Sequence, residues 1–233
     1  ATVWAVQMLW IPITAAGIIN GIGHYWGYRN YDCEDASTNI LPWGILIGGE
    51  ELHNNHHTYA TSAKLSNKWW EFDIGWGYIR TLEILGLAKV KKTPPKPVLT
   101  EARVACEQTL QAVIANRYEI MARYSKTLRK TFADELTHMK ELASQYGDEK
   151  AWLYKDEAKL TDQEKVKLET LMASNKAVRL MVEMRRELAA LWSRSHTTKE
   201  QLIAQLQQWC QKAENSGMVR LHDFSVRLRS YSA

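Results

Sequence analysis

Cysteine is scarce in this 233-residue chain, and its three cysteines lie far apart. Cys33, Cys106 and Cys210 lack the spacing of a metal site and give no disulfide framework, so a disulfide-stapled secreted domain is excluded. A reducing, cytosol-facing location is predicted instead. The N-terminus shows no initiator Met, basic region or cleavage site, so no signal peptide is predicted and the chain is expected to start within a longer protein.

Dense clusters of basic residues are also missing. Residues 1–95 carry seven Lys or Arg and eight Asp or Glu, and residues 96–233 carry 23 Lys or Arg and 18 Asp or Glu. The mild basic excess alternates with acidic residues, as it does on solvated helices, so nucleic acid is not expected as a partner. The sequence contains no internal repeat and no low-complexity segment.

Charge is absent from residues 1–19, which are rich in Trp, Val, Ile, Leu and Ala. This run is close to the roughly 20 residues that a membrane-spanning helix needs. We predict a membrane helix here, the alternative being a buried core helix. Seven of the ten tryptophans precede residue 80, which suits a membrane–water interface.

Two further apolar stretches follow, and the first of them is too short to span. Residues 40–49 predict a buried or interfacial helix that continues through residues 50–59. Residues 69–87 mix aromatic and aliphatic side chains with a few charges, and predict a helix in the interface plane. Lysines at 89, 91 and 92 favour a cytoplasmic face.

The segment Thr93-Pro94-Pro95-Lys96-Pro97 predicts a stiff linker. The predicted organisation is therefore residues 1–92, a Pro-rich linker over 93–99, and an α-helical extension over 100–233. The overall fold class is all-α.

Capping signals divide the extension. Thr100 predicts a helix through about Tyr146, and the capping box at Thr161 predicts one whose apolar residues form a single stripe as far as Leu191. Thr198 predicts a third helix, and a short helix after Gly217 completes the chain.

Three histidines fall within five residues. His53, His56 and His57 are related by i, i+3 and i+4, so on a helix their imidazoles share one face and predict a metal site. Asn54 stands where a zinc-protease helix needs its catalytic Glu, which excludes that class. Glu50 and Glu51 are either groups that orient the histidines or plain polar residues.

These residues lie in a longer pattern that resembles a known family. Asn20-x-x-x-His24, the run from Tyr25 to Tyr31, and Gly49-Glu50-Glu51-Leu52 followed by the histidine run resemble the third histidine region of membrane-bound fatty acid desaturases. The resemblance covers roughly residues 1–92 and is closest to the bacterial acyl-CoA delta-9 type, which carries a helical C-terminal extension.

The resemblance implies four membrane helices under a cytosolic cap in a multi-pass protein of the bacterial inner membrane, with the catalytic part and extension cytoplasmic. It implies a diiron centre with His24, His53, His56 and His57 as ligands and Asn20 bound through water. Two hydrogens would leave a fatty acyl-CoA with the help of dioxygen and iron. Electrons would come from a ferredoxin-like or cytochrome-type donor and its reductase. Gly17 stands where animal relatives carry a Trp near the substrate, so the shape of their substrate pocket at this position does not carry over to this chain.

The two other histidine boxes of this family, H-x-x-x-x-H and H-x-x-H-H, are absent. The remaining histidines, His138, His196 and His222, stand singly and match neither box. We therefore expect a C-terminal fragment that is inactive alone. Two alternatives stay open: a hydroxylase of the same superfamily, and a structural zinc or helical interaction module. Residues 206–231 also resemble the C-terminus of some insertion-sequence transposases, which keeps nucleic-acid binding among the alternatives.

Overall fold

The computed structural model describes residues 2–138, 157–193 and 197–232. The chain divides into two compact units, Ala1–Pro95 and Lys96–Ala233. Helices dominate the described residues, whose strands are only two residues long, and the predicted all-α class is confirmed.

The first unit opens with an apolar helix that changes its winding midway. Helix α1 (Thr2–Ile11) continues directly into a π-helix over Pro12–Ile22. Because the ring of Pro12 removes a backbone donor and crowds the carbonyl one turn earlier, the wider winding begins there. The combined helix has 21 residues and contains an 18-residue stretch with a mean hydropathy of 1.6, and within the described ranges it alone is long and apolar enough to cross a membrane.

The rest of the first unit is held by short elements. Strand β1 (Trp43–Gly44) pairs in parallel with β2 (Phe72–Asp73). Helix α2 (His53–Thr58) contains the histidine run, and helix α3 (Ile74–Ile84) follows β2 directly. The carboxylate of Asp73 accepts a hydrogen bond from the backbone N–H of Trp76 at 2.9 Å and caps α3.

The helix predicted across residues 40–59 is wrong. Only α2 is helical there, and turns occupy residues 46–51. Gly48 and Gly49 have φ angles of 68° and 104°, a left-handed backbone that interrupts a helix and that glycine adopts without strain. The helix predicted over 69–87 is shorter than expected, because β2 occupies its first turn.

The second unit is helical, and a pair of short strands joins the beginning of the unit to its end. Strand β3 (Val98–Leu99) pairs antiparallel with β4 (Tyr231–Ser232). The helices in chain order are α4 (Glu107–Ala115), α5 (Arg117–His138), a 3₁₀ turn (Glu157–Lys159), α6 (Asp162–Ser174), α7 (Lys176–Ser193), α8 (Lys199–Glu214) and α9 (Val219–Arg229).

Two predicted caps are confirmed and two boundaries are wrong. Thr161 and Thr198 each form a full capping box. Thr100 caps no helix, because its backbone N–H donates to the Ser230 carbonyl beside the strand pair. The predicted end near residue 146 lies outside the described residues. The apolar stripe is split at Asn175, whose side-chain oxygen caps α7 instead of letting α6 continue.

Three aromatic rings form the centre of the second unit. Tyr124, Trp209 and Phe224 pack edge to face with centroids 5.3–5.9 Å apart. The Tyr124 hydroxyl donates to the Met181 carbonyl and the Trp209 indole N–H donates to that of Met184, so both buried polar groups are satisfied. These contacts fasten α5 and α8 to α7, and α9 to α5 and α8.

Candidate metal centre

Helix α2 separates its residues into two groups with different tasks. Asn54 and Asn55 are almost fully buried and bond to the loops around the helix. The three histidine rings lie together instead, with His53 and His57 centroids 4.2 Å apart. The imidazoles therefore lie on one face of the helix, as their spacing predicts.

His24 joins these rings from another part of the chain. It lies in the turn after the π-helix, and its Nε2 atom is 3.0 Å from the Nε2 of His53. A Cβ atom at the neighbouring Gly23 would lie 3.2 Å from the His53 ring and against the Ile19 carbonyl, so a residue without a side chain allows this approach. The Thr38 hydroxyl donates to the Gly23 carbonyl and holds the turn.

The nitrogen atoms of His24, His53 and His57 converge on one point. One ligand atom from each lies within 4.8 Å of the others. Two imidazole nitrogens bound to one ion at about 2.1 Å and a right angle would be about 3.0 Å apart, which matches the His24–His53 distance. The spacing of this pair therefore fits a metal ion, and His57 lies beside it.

The protonation of His53 agrees with a ligand role. Burial, and then the neighbouring His57, His24 and His56, lower the pKa of His53 to about 4. The ring is consequently neutral near pH 7, the form that binds metals. Its Nδ1 atom is buried without a hydrogen-bond partner among the described residues.

Asp35 orients His57. The Nδ1–H of His57 donates to the Asp35 carboxylate at 2.6 Å, which turns the Nε2 lone pair towards the cluster. Burial raises the pKa of Asp35, but hydrogen bonds from Ser37, His57 and Cys33 outweigh it and hold the pKa well below its usual range. The carboxylate is therefore ionised and stabilises one tautomer of His57.

The two carboxylates considered from sequence lie elsewhere. Glu51 is buried and accepts hydrogen bonds from the backbone N–H groups of Leu46 and Ile47, so it shapes the turn before α2. Glu50 approaches His56 only to 4.0 Å. Sequence reasoning missed Asp35 because it is 22 residues from its histidine and only the folded loop joins them.

Two predicted site residues lie apart from the three converging nitrogens. His56 is half-buried, with its ring 6.2 Å from that of His53, and its Nδ1 has no hydrogen-bond partner in the described part of the chain. Asn20 is exposed on the π-helix. Their assignments as a ligand and as a water-mediated contact stay predictions.

The buried side of α2 is anchored by its two asparagines. Asn54 accepts from the backbone N–H groups of Asn30 and Tyr31 and donates to the Tyr31 carbonyl. Asn55 accepts from the side-chain amides of Asn30 and Asn39 and donates to the Leu65 carbonyl. Loop 28–39 is thus held against the helix that carries the histidines.

Glu71 is the hub of this polar network. One carboxylate oxygen accepts from the Tyr28 hydroxyl and from the Asn30 and Asn39 amides. The other accepts from the Asn55 amide and from two backbone N–H groups, at residues 67 and 68. Burial and then Glu71 raise the pKa of Tyr28 well above its usual range, so the phenol stays a donor. All six partners donate, which suits an ionised carboxylate.

Comparison with protein families finds a match within the second unit. A family model described as a transposase, of the DDE type in the ISL3 group, matches residues 103–233, which is more than half of the chain. These residues contain helices α4 to α9. The similarity noted for residues 206–231 therefore extends over most of the second unit.

Curated relatives of a different kind match a shorter stretch. The sn-2 palmitoyl-lipid 9-desaturase of Nostoc sp. (strain 36) is 46% identical over 79 residues, covering 34% of this chain and 28% of that protein. The sn-1 stearoyl-lipid 9-desaturase of Anabaena variabilis is 40% identical over 96 residues, covering 40% and 35%. The icosanoyl-CoA 5-desaturase of Limnanthes douglasii is 43% identical over 76 residues, covering 33% and 21%. The chain thus spans about a third or less of these relatives' length, and no solved structure matches it.

Proposed function

We propose that the first unit of this chain contributes to a fatty acid desaturase, because the chain is 40–46% identical to such enzymes over 79–96 residues. Through residues 103–233 the chain belongs to the ISL3 group of DDE transposases. The reaction is the introduction of a cis double bond into a fatty acyl chain with dioxygen. The observation that carries this proposal is the convergence of His24, His53 and His57 on one point, with Asp35 behind the cluster.

The proposed metal is iron, held by His24, His53, His56 and His57, with Asn20 reaching it through water. Two irons, when bound, would supply the oxidising power needed to remove two hydrogens from a methylene pair. His56 is assigned to the site because its buried Nδ1 has no hydrogen-bond partner among the described residues. Family resemblance and the neutral state of the buried imidazole support iron, since imidazole nitrogen is a suitable ligand for it.

The protein's own residues would prepare this site in three ways. The buried asparagines of α2 fix the helix, and Asp35 fixes the tautomer of His57. Gly23 allows His24 to approach His53 closely. The rings of His24, His53 and His57 would therefore need little rearrangement to bind a metal, which reduces the cost of ordering them.

The substrate is proposed to be an acyl-CoA modified at carbon nine. The two cyanobacterial relatives are named for action at position nine, and the Limnanthes protein is named for a CoA-linked chain. We place the enzyme in the membrane as a multi-pass protein with its site on the cytoplasmic side, and the apolar helix over Thr2–Ile22 supports a membrane location. A ferredoxin-like or cytochrome-type donor and its reductase would deliver electrons.

Gas chromatography of lipids from cells that express the natural gene tests the activity. We expect new mono-unsaturated chains with the double bond at carbon nine, and their loss in the His53→Ala variant. His222→Ala is the matched control, because His222 is exposed and lies in the second unit. Hydroxylated chains would favour the hydroxylase alternative, and unsaturation that survives His53→Ala would contradict the metal role.

A further inference from the structure

A cleft with strongly basic walls lies between α5 and α9 in the second unit. Its volume is about 260 Å³. Five basic side chains line it, together with the Thr127 hydroxyl, one acidic side chain and the edge of Phe224. The basic residues are Arg123, Lys126, Lys130, Arg220 and Arg227.

The fold assembles this cleft from two stripes that are about a hundred residues apart. Along α5 the basic residues recur at i, i+3 and i+7, beginning at Arg123. Along α9 they recur at i and i+7, beginning at Arg220. Packing of the Tyr124 ring against Phe224, with centroids 5.3 Å apart, brings the two stripes face to face.

The charges of the cleft are poorly balanced by the protein. Arg123 donates to Glu119 at 2.9 Å, and Asp223 is the one acidic residue in the lining. The side chains of Lys126, Lys130 and Arg227 form no ion pair within the described ranges. Bringing like charges together is unfavourable, and a bound anion would relieve the repulsion.

We propose that this cleft binds a small molecule that carries two or three linked phosphate groups. Guanidinium groups grip phosphate oxygens in a bidentate manner, and lysines add point charges. The Thr127 hydroxyl offers a further donor. The cleft is somewhat smaller than the roughly 300–1,000 Å³ of sites for drug-sized ligands, which suits a short oligophosphate.

Shape distinguishes this ligand from larger polyanions. Even a single DNA-binding module buries roughly 600–1,000 Å² of protein surface, whereas this cleft is lined by eight residues. A flat bilayer meets only the rim of a cleft, and membrane-binding surfaces add exposed apolar side chains. Phe224 cannot serve that purpose, because only 8% of it is exposed. A small phosphorylated molecule therefore matches a cleft of this size better than a duplex or a bilayer does.

Calorimetric titration of the full-length chain in neutral detergent with sodium tripolyphosphate at constant ionic strength tests the proposal. We expect saturable binding with one site per chain. Lys126→Gln and Arg227→Gln should each weaken it about tenfold, and the double variant more. Lys167→Gln combined with Lys176→Gln is the control for net charge, because both lysines are exposed on α6 and α7 and form no ion pair within the described ranges. Thermal melts check that every variant is folded.

Parallel titrations with a 20-base-pair DNA duplex and with vesicles containing phosphatidylglycerol separate the sources of phosphate. Tripolyphosphate binding that is lost in the cleft variants and kept in the control pair supports the proposal. Three results would overturn it: no binding of tripolyphosphate, equal weakening in the control pair, or binding of the duplex or vesicles alone.

Discussion

Replacing Glu71 with Gln should loosen the protein around the candidate metal centre without altering any histidine. The substitution keeps the shape of the side chain but replaces one carboxylate oxygen with an NH₂ group. Each oxygen of Glu71 accepts three hydrogen bonds, so three donors would face a donor. These donors lie in a network around the buried Glu71 side chain.

The cost follows from these contacts. A buried donor left without a partner costs about 1–3 kcal/mol, and hydrogen bonds to a charged acceptor contribute more than neutral ones. Three such losses amount to roughly 3 kcal/mol even at the lower end of this range. Because about 1.4 kcal/mol corresponds to a tenfold change in an equilibrium, local opening of loop 28–39 away from α2 should become roughly a hundred times more frequent.

Thiol labelling at Cys33 measures this opening. Cys33 is 4% exposed and lies in the same loop, where the Asn54 amide donates to its sulfur at 3.2 Å. A thiol reagent reaches it only when the loop opens, so its labelling rate reports the opening equilibrium. Peptide mass spectrometry separates this signal from that of Cys210 in the second unit.

We expect Glu71→Gln to raise the Cys33 labelling rate about a hundredfold and to leave Cys210 unchanged. Glu34→Gln is the matched control, because it removes one negative charge from an exposed position in the same loop. It should alter the rate by less than threefold. If the two variants labelled Cys33 equally fast, the network around Glu71 would not be what holds the loop.

Three further outcomes are expected. Asp35→Asn should weaken cobalt(II) binding by about 10- to 100-fold in a spectroscopic titration, since it removes the group that orients a ligand, whereas Asp32→Asn should not. Tyr124→Phe should lower the free energy of unfolding of the second unit by about 1 kcal/mol in a urea titration, through loss of one buried hydrogen bond. Hydrogen bonds from Thr109 lower the pKa of Cys106, while burial raises the pKa of Cys210 to about 11. At pH 8 a thiol reagent should therefore label Cys106 before Cys210. Labelling in the reverse order would contradict the local packing of the two thiols.

Local patterns in the sequence are enough to predict several features. The i, i+3, i+4 spacing of the histidines places their rings on one face of any helix, so even the six-residue helix α2 is long enough to bring them to the same side. The capping boxes at Thr161 and Thr198 involve residues three positions apart, so neighbours in sequence decide them. The uncharged run at the N-terminus is apolar whatever surrounds it.

Features that depend on distant residues required the folded chain. The contact of Asp35 with His57 spans 22 residues, and the Glu71 network joins residues up to 43 apart. The basic cleft is a stronger example: its lysines and arginines come from two segments about a hundred residues apart, and only packing of α9 on α5 gathers them. Hydrogen bonds and charge clusters of this kind depend on the relative positions of whole elements. Those positions follow from turns such as Gly48–Gly49 and from side-chain packing, and no short window of sequence contains them.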